Sequence, residues 1–437
     1  MTFLELGLKL FLQLAVILAS CRIVGWLGRR YLGQTQVVME MIAGVLLGPS
    51  LFGLFWPEAQ AWLFPKTLEV AAGGQTVQLM HPSMAVLSAI SQIGLVLYMF
   101  IVGLEFNVGH LRSKLRSALL ISAAGIVVPF LLGGALGLQL ADRRDLFTEH
   151  VTAFSAVLYV GASMSITAFP MLARILFERG IAGTRMGTIT LAAGSMDDAV
   201  AWCLLAVVLA TLKSSPMLAV ITIAGGALYC LVMATLGKRL FTGFERRYER
   251  ESGLSVDSFT LVILAVMLCG LATDAIGIHA VFGGFVCGAV MPRGPFARAV
   301  QERAEMIVTT LLLPVFFVFS GLNTRIGLLN SRELLGLTAL VMLLAIAGKG
   351  VACMLAARIG GETWRDSAAI GTLMNARGLM ELIILNIGLQ NGVITPTLFT
   401  IFILMAIVTT VMASPLYLWI AGRASAAVAV EGARANV

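Results

Sequence analysis

Apolar runs of about twenty residues, separated by short polar or charged connections, recur along the whole chain. Each is long enough to cross the ~30 Å hydrocarbon layer as a helix rising 1.5 Å per residue. Thirteen can be marked, at 5–27, 35–55, 84–106, 116–139, 150–173, 186–212, 216–236, 255–274, 277–292, 305–322, 334–357, 366–390 and 395–421. The ninth is short. The first lacks a cleavage site and exceeds the length of a signal-peptide apolar core, so it is expected to be a retained helix. The longest connection, 56–83, is read as a loop, and the Ala-rich segment after residue 421 as a disordered tail. The pattern predicts an all-α polytopic membrane protein of about 13 transmembrane helices.

Composition agrees. Of the 437 residues 59% are hydrophobic and only 12% charged, and the mean hydropathy is +0.95, which excludes an ordinary soluble domain. A net charge of +7 would suit a nucleic-acid binder, but the basic residues are dispersed over the connections, most densely at 238–250 (KRLFTGFERRYER). This is charge that sets topology, with some contact to anionic lipid, and no nucleic-acid partner is expected. Connections after odd-numbered runs, with the tail and with Arg116 at the edge of its run, hold 20 Lys/Arg against 6 on the other side. The positive-inside rule then puts the N-terminus outside and the C-terminus in the cytoplasm of a bacterial inner membrane.

Chemistry is sparse. The six cysteines, Cys21, Cys203, Cys230, Cys269, Cys287 and Cys353, fall in the apolar runs without CxxC spacing and read as small core residues. There is no GxxxxGK[ST] phosphate loop; Gly348-Lys349-Gly350 lies inside an apolar run and lacks the flanking Gly and Ser/Thr. No cofactor and no enzymatic reaction are indicated, which leaves secondary transport or a passive pore.

The acids that matter most are Asp197 and Asp198, near the middle of the run 186–212 (MGTITLAAGSMDDAVAWCLLAVVLATL) with no charge beside them. One acid at that depth costs at least ~2.5 kcal/mol, so a pair must be offset by a partner, water or a bound cation. Adjacent helical residues point about 100° apart, so one of the two can meet a buried partner while the other faces an aqueous cavity. Basic residues also lie within runs. Lys9 and Arg22 are near the ends of the first and snorkel, whereas Lys349 and Arg377 are too deep for that.

The chain also reads as two halves related by inverted topology, 1–212 and 255–421, with helix 7 and a cytoplasmic loop (213–254) between them and a short tail (422–437) after. In that frame the fifth and twelfth runs correspond. Both carry helix-breaking or polar content: Gly161-Ala-Ser-Met-Ser-Ile-Thr-Ala-Phe-Pro170 and Asn375-Ala-Arg-Gly378. Irregular backbone at membrane depth is tolerated only where protein buries it or a cavity borders it, so two broken helices are expected to cross beside the acid pair. The plainer reading is a Pro170 kink with Ser163, Ser165 and Thr167 bonding back to their own carbonyls.

At these residues the chain resembles the monovalent cation:proton antiporter-2 family, which includes bacterial sodium/proton antiporters, Kef-type potassium efflux systems and plant cation/proton exchangers. The resemblance spans nearly the whole chain. It rests on Glu40-Met-Ile-Ala-Gly-Val-Leu-Leu-Gly-Pro-Ser50, Phe100-Ile-Val-Gly-Leu-Glu105, Ser165-Ile-Thr-Ala-Phe-Pro-Met-Leu-Ala-Arg174, Ile276-Gly-Ile-His-Ala280, Leu313-Pro-Val-Phe-Phe317 with Ser320-Gly-Leu322, and Asn375-Ala-Arg-Gly-Leu-Met-Glu-Leu382. It implies a sodium/proton-antiporter-like fold, with runs 4–6 and 11–13 as a mobile core and runs 1–3 and 8–10 as a panel for a homodimer. It also implies that Asp198 is the ion-binding aspartate, that Asp197 pairs with Lys349, and that Arg377 and Glu381 form a polar pair. The absence of a nucleotide-binding domain after residue 421 departs from the Kef-type subgroup.

The function expected is exchange of Na+, K+ or Li+ for protons, the cation being held by Asp198 with hydroxyls of Ser163, Ser165 and Thr167 or carbonyls freed near Pro170. The Asp197–Lys349 pair either takes part in electrogenic exchange or merely fixes helix packing. A sodium-coupled organic-anion symporter, using Arg377 for the anion, and a cation channel are the alternatives. Glu40 and Glu105 read as structural. His279, beside Asp274, is either a pH sensor or a satisfied interfacial histidine.

Overall fold

The computed structural model describes residues 3–32, 34–72, 75–105, 115–212, 216–251 and 253–434. Among these, nine helices are long and apolar enough to cross a membrane, from Leu4–Leu32 to Pro396–Gly422. The other four expected runs take distinct forms. The fifth is two half-helices, Ala153–Ser165 and Phe169–Glu178. The twelfth divides likewise into Trp364–Met374 and Leu379–Gln390. The ninth is the 11-residue helix Ala280–Val290, and the sixth is Arg185–Leu212, 28 residues with the acid pair at its middle.

The chain is mostly helical, and one local expectation needs correction. Within the segment read as a loop, Thr67–Ala72 and Gln75–Met80 pair as antiparallel strands, Thr67 opposite Met80 and Ala72 opposite Gln75. Alternation in TLEVAA and QTVQLM around Gly73-Gly74 carries that signal, and it was overshadowed by the twenty-residue period on either side. The last helix is Pro396–Arg434, broken at Gly422, whose φ of 69° is left-handed.

The helices gather into two units. One comprises Met1–Val24, Glu40–Asn107 and Val220–Asn323. Its packing includes a cluster of Ile17, Cys21, Ala43, Phe64, Leu87, Val315 and Val318, and it depends on bare backbone. A Cβ on Gly44 would lie 2.6 Å from the Phe317 carbonyl oxygen, so only glycine lets those helices meet, as in membranes where close packing rather than hydrophobicity drives association. His279 in this unit caps the Ala280–Val290 helix, its Nδ1 accepting the Val281 amide at 3.4 Å.

The other unit comprises Gly25–Met39, Val108–Ala219 and Thr324–Val437. Its Leu115–Leu140 helix lies against Ala153–Ser165, and a Cβ on Gly137 would come within 2.6 Å of the Ala156 carbonyl oxygen. Leu172, Ile175, Ile189, Ala193, Cys353, Leu373 and Met374 form its core. The 334–357 run is interrupted by a π-helical turn, Ile346–Val351, that carries Lys349. Such turns hold one residue more than the α-helix and are frequent at functional sites. Both broken helices and the acid pair belong to this unit.

Candidate functional site

The site begins with an interrupted helix. Thr152 caps Ala153–Ser165 at its start, its hydroxyl accepting the Ser155 amide at 3.2 Å. At the other end Ile166 turns extended (φ −66°, ψ 131°), so the last carbonyls have no donor within the helix. Water cannot serve them in the hydrocarbon layer. Two cationic side chains do: Arg377 donates from Nη1 to the Ser163 carbonyl at 3.1 Å and from Nη2 to that of Met164 at 2.7 Å, and Lys349 Nζ donates to the carbonyl of Ser165. Positive charge is favoured here, because a helix C-terminus is its negative pole.

The ammonium of Lys349 has three protons and three acceptors. Besides Ser165 it donates to the Gly125 carbonyl at 2.8 Å and to Asp197 Oδ2 at 3.2 Å. The same carboxylate oxygen accepts the Thr167 hydroxyl at 2.5 Å, from the stretch between the two half-helices. Lys349, Thr167 and Arg377 are fully buried, and Asp197 and Asp198 are 1% exposed. Asp198 is therefore shut off from solvent in this conformation, where an aqueous cavity was expected. Gly125 is what lets the group close up: a Cβ there would stand 2.7 Å from Cys353 Sγ and 3.5 Å from Asp197 Oδ2.

The second break rests against the first. The Ala168 amide donates to the Ala376 carbonyl at 3.4 Å, joining the two non-helical stretches directly. Thr410, on the last helix, clamps Arg377 by its backbone. Its hydroxyl accepts the Arg377 amide at 2.8 Å and lies 2.7 Å from the carbonyls of both Arg377 and Ala406, to which it can donate. Glu381 sits one turn beyond Arg377 and pairs with it at 3.6 Å, both fully buried. Tyr159 donates to the Ile384 carbonyl at 3.0 Å and so ties the first half-helix to Leu379–Gln390. Asn375 ends the Trp364–Met374 half-helix and lines a cavity of about 230 Å³ with Gly350, Gly371, Thr409 and Leu416.

The structure thus brings Asp197, Lys349, Thr167, Ser163, Ser165, Arg377 and Glu381 into one connected group, with Asp198 next in sequence to Asp197. The hydroxyls behave unequally. Thr167 serves Asp197, whereas Ser165 bonds back to the Gly161 carbonyl at 2.7 Å, as the plainer reading of that run supposed. Pro170 is the second residue of Phe169–Glu178, where a missing amide is tolerated; its side chain and that of Glu105 lie outside the described residues. Glu40 is buried in the other unit. Gly125, Thr410 and Tyr159 escaped the sequence reading, because a glycine, a threonine and a tyrosine in apolar helices carry no signal of a distant partner.

Comparison with known proteins agrees with this architecture. Residues 16–419 match the family model described as sodium/hydrogen exchanger, transmembrane. The chain is 40% identical over 412 residues to the Na(+)/H(+) antiporter NhaS4 of Synechocystis, covering 94% of this chain and 96% of that one. It is 32% identical over 421 residues to the K(+)/H(+) antiporter 1 of Saccharomyces cerevisiae, covering 94% of this chain but 46% of that longer protein. Among solved structures, the sodium proton antiporter MjNhaP1 of Methanocaldococcus jannaschii matches 95% of this chain and 100% of its own with a TM-score of 0.64 at 14% identity, a likeness of fold. The chain is a multi-span membrane protein and belongs to the transmembrane sodium/hydrogen exchanger family.

Proposed function

We propose that this protein exchanges a monovalent cation, Na+, K+ or Li+, for protons. The observation that carries the reading is the pair of buried acids on one helix, one of them tied to Lys349 and Thr167 where two interrupted helices meet. The kinship with antiporters of sodium and of potassium supports it.

A carboxylate inside the membrane is tolerable only while something positive accompanies it. Asp198 meets that demand with either a proton or a hard cation held by oxygens, and since the two compete for the same atoms, one leaves as the other arrives. Changing sides with the site empty would carry a bare charge through low dielectric, so unloaded crossing is suppressed and the flows are coupled. Asp197 and Lys349 exchange partners in the same cycle: a proton on Asp197 releases Lys349, and loss of that proton recaptures it. If both titrate, two protons move per cation and exchange is electrogenic. The site is carried across by an elevator-like displacement of the unit that holds it, in a homodimer seated in the lipid of a bacterial inner membrane, N-terminus outside and C-terminus cytoplasmic.

An organic-anion symporter would need Arg377 to receive the anion, but both of its Nη atoms already donate to helix carbonyls, and the neighbouring acids repel such a ligand. A channel would have no use for a charge pair closed to solvent.

The test is proton release from acid-loaded proteoliposomes on adding sodium, lithium or potassium. Parent protein is expected to dissipate the gradient with at least one of the three and Asp198→Asn with none. Equal dissipation by the variant would remove Asp198 from the reaction.

A further inference from the structure

The cavity beside Asn375 lies wholly within the unit that holds the acid pair. Three elements wall it: Ile346 and Gly350 of the π-helical turn, Ala368 and Thr372 of the Trp364–Met374 half-helix, and Met412 and Leu416 of the last helix. Backbone fixes one side, since a Cβ on Gly371 would run into the Gly350 carbonyl oxygen. Val351 and Leu416, also in its wall, are exposed, so the cavity opens on the outside of the unit, where apolar side chains meet hydrocarbon. One polar group in the wall is unmet. Asn375 is 6% exposed, and its Oδ1 accepts no hydrogen bond among the described residues. Thr409, by contrast, bonds back to the Met405 carbonyl at 2.8 Å. A buried amide oxygen is seldom left without a donor.

We propose that this cavity binds a small neutral alcohol, its hydrocarbon body lying along the apolar walls and its hydroxyl donating to Asn375 Oδ1. Volume sets the size of the body. An apolar cavity of about 150 Å³ takes one benzene, so one of about 230 Å³ has room for about nine non-hydrogen atoms. A hydroxyl both donates and accepts, and it therefore serves an amide whichever way the head is turned. A charged head would be stranded among hydrocarbon, while a plain hydrocarbon, such as the end of a lipid tail, would fill the volume and leave the amide unmet. The occupant would touch the turn that carries Lys349 and the residue that ends the half-helix before Arg377, yet neither of those charged residues nor the acid pair lines the cavity. It is a site apart from the proposed exchange site.

The full chain in detergent is photolabelled with a diazirine-bearing hexanol of that size, and its peptides are read by mass spectrometry. Adducts are expected within 346–354, 368–375 and 409–420. Octan-1-ol should displace the label from these segments roughly fivefold better than nonane at equal mole fraction in the micelle, the worth of one hydrogen bond. Ala368→Leu, which fills the cavity, should cut the labelling roughly tenfold. Asn375→Leu should abolish the advantage of octanol while nonane still competes. Should either variant misfold, the competition on the parent decides alone. Adducts spread evenly over the apolar helices, labelling that excess octanol leaves unchanged, or nonane displacing as well as octanol from the parent would each overturn the assignment. So would undiminished labelling of a folded Ala368→Leu.

Discussion

Lys349 and Asp197 attract each other across 3.2 Å, which is about 5 kcal/mol at an effective dielectric near 20. Burying the two ions costs several kcal/mol each, so the pair comes close to breaking even, and its weight shows only when one member is removed. Lys349→Ala strands Asp197 beside Thr167 and uncovers the carbonyls of Gly125 and Ser165. It should lower stability by ~3–5 kcal/mol, and Asp197→Asn added to it should recover much of the loss. Thermal unfolding in detergent measures both, and a Lys349→Ala protein as stable as the parent would mean that the contact bears no structural weight. At this scale the sequence was legible wherever charge stood in an apolar run: Asp197, Asp198, Lys349 and Arg377 announce themselves by their cost, whereas Glu381 came only with the family resemblance. Gly125 and Thr410 do not, since glycine and threonine are ordinary in membrane helices and their importance here lies in atoms brought near from more than thirty residues away.

The broken helices were legible as elements, because a proline-containing polar run and an Asn-Ala-Arg-Gly run cannot continue an apolar helix undisturbed. What closes their ends was not, since it depends on which residues come opposite. The strand pair at 67–80 shows the converse: a local alternation that is clear by itself and lost beside stronger periodicities. At one end of the broken helices, the stretches 145–148 and 392–395 are laced together. Thr395 donates its amide to the Leu146 carbonyl at 2.9 Å and its hydroxyl to that of Asp145 at 2.6 Å. Arg143 hydrogen-bonds the Asp145 carboxylate at 2.6 and 2.8 Å and holds its pKa below the usual value. A carboxylate depressed in the folded state contributes fully above its unfolded pKa of about 3.9. That contribution fades as pH falls through the lower, folded value. Asp145→Asn should therefore cost ~0.2–1 kcal/mol at pH 7, as exposed pairs do, and the difference from the parent should shrink as pH falls below about 3.9 and through the folded value. A gap in melting temperature that does not narrow as the carboxylate is protonated would assign the effect to something other than the ion pair.

On the scale of the molecule, each unit is assembled from three separated stretches of chain. Periodicity alone says where helices lie but not which of them gather, and here the family resemblance, not the hydrophobic pattern, supplied the grouping. Orientation in the membrane, by contrast, is proposed from loop charge. In a Cys203→Ser background a membrane-impermeant maleimide added to intact cells is expected to label Glu58→Cys and to spare Glu249→Cys until the membrane is opened; both positions are exposed. The opposite pattern would invert the topology drawn from Lys and Arg. Whichever way the chain is inserted, the ammonium group of Lys349 acts at once as counter-ion to an acid and as end-piece to an unfinished helix. Withdrawing it bares backbone oxygens in a low-dielectric interior, so parting the lysine from the acid and unlatching the helix become a single event.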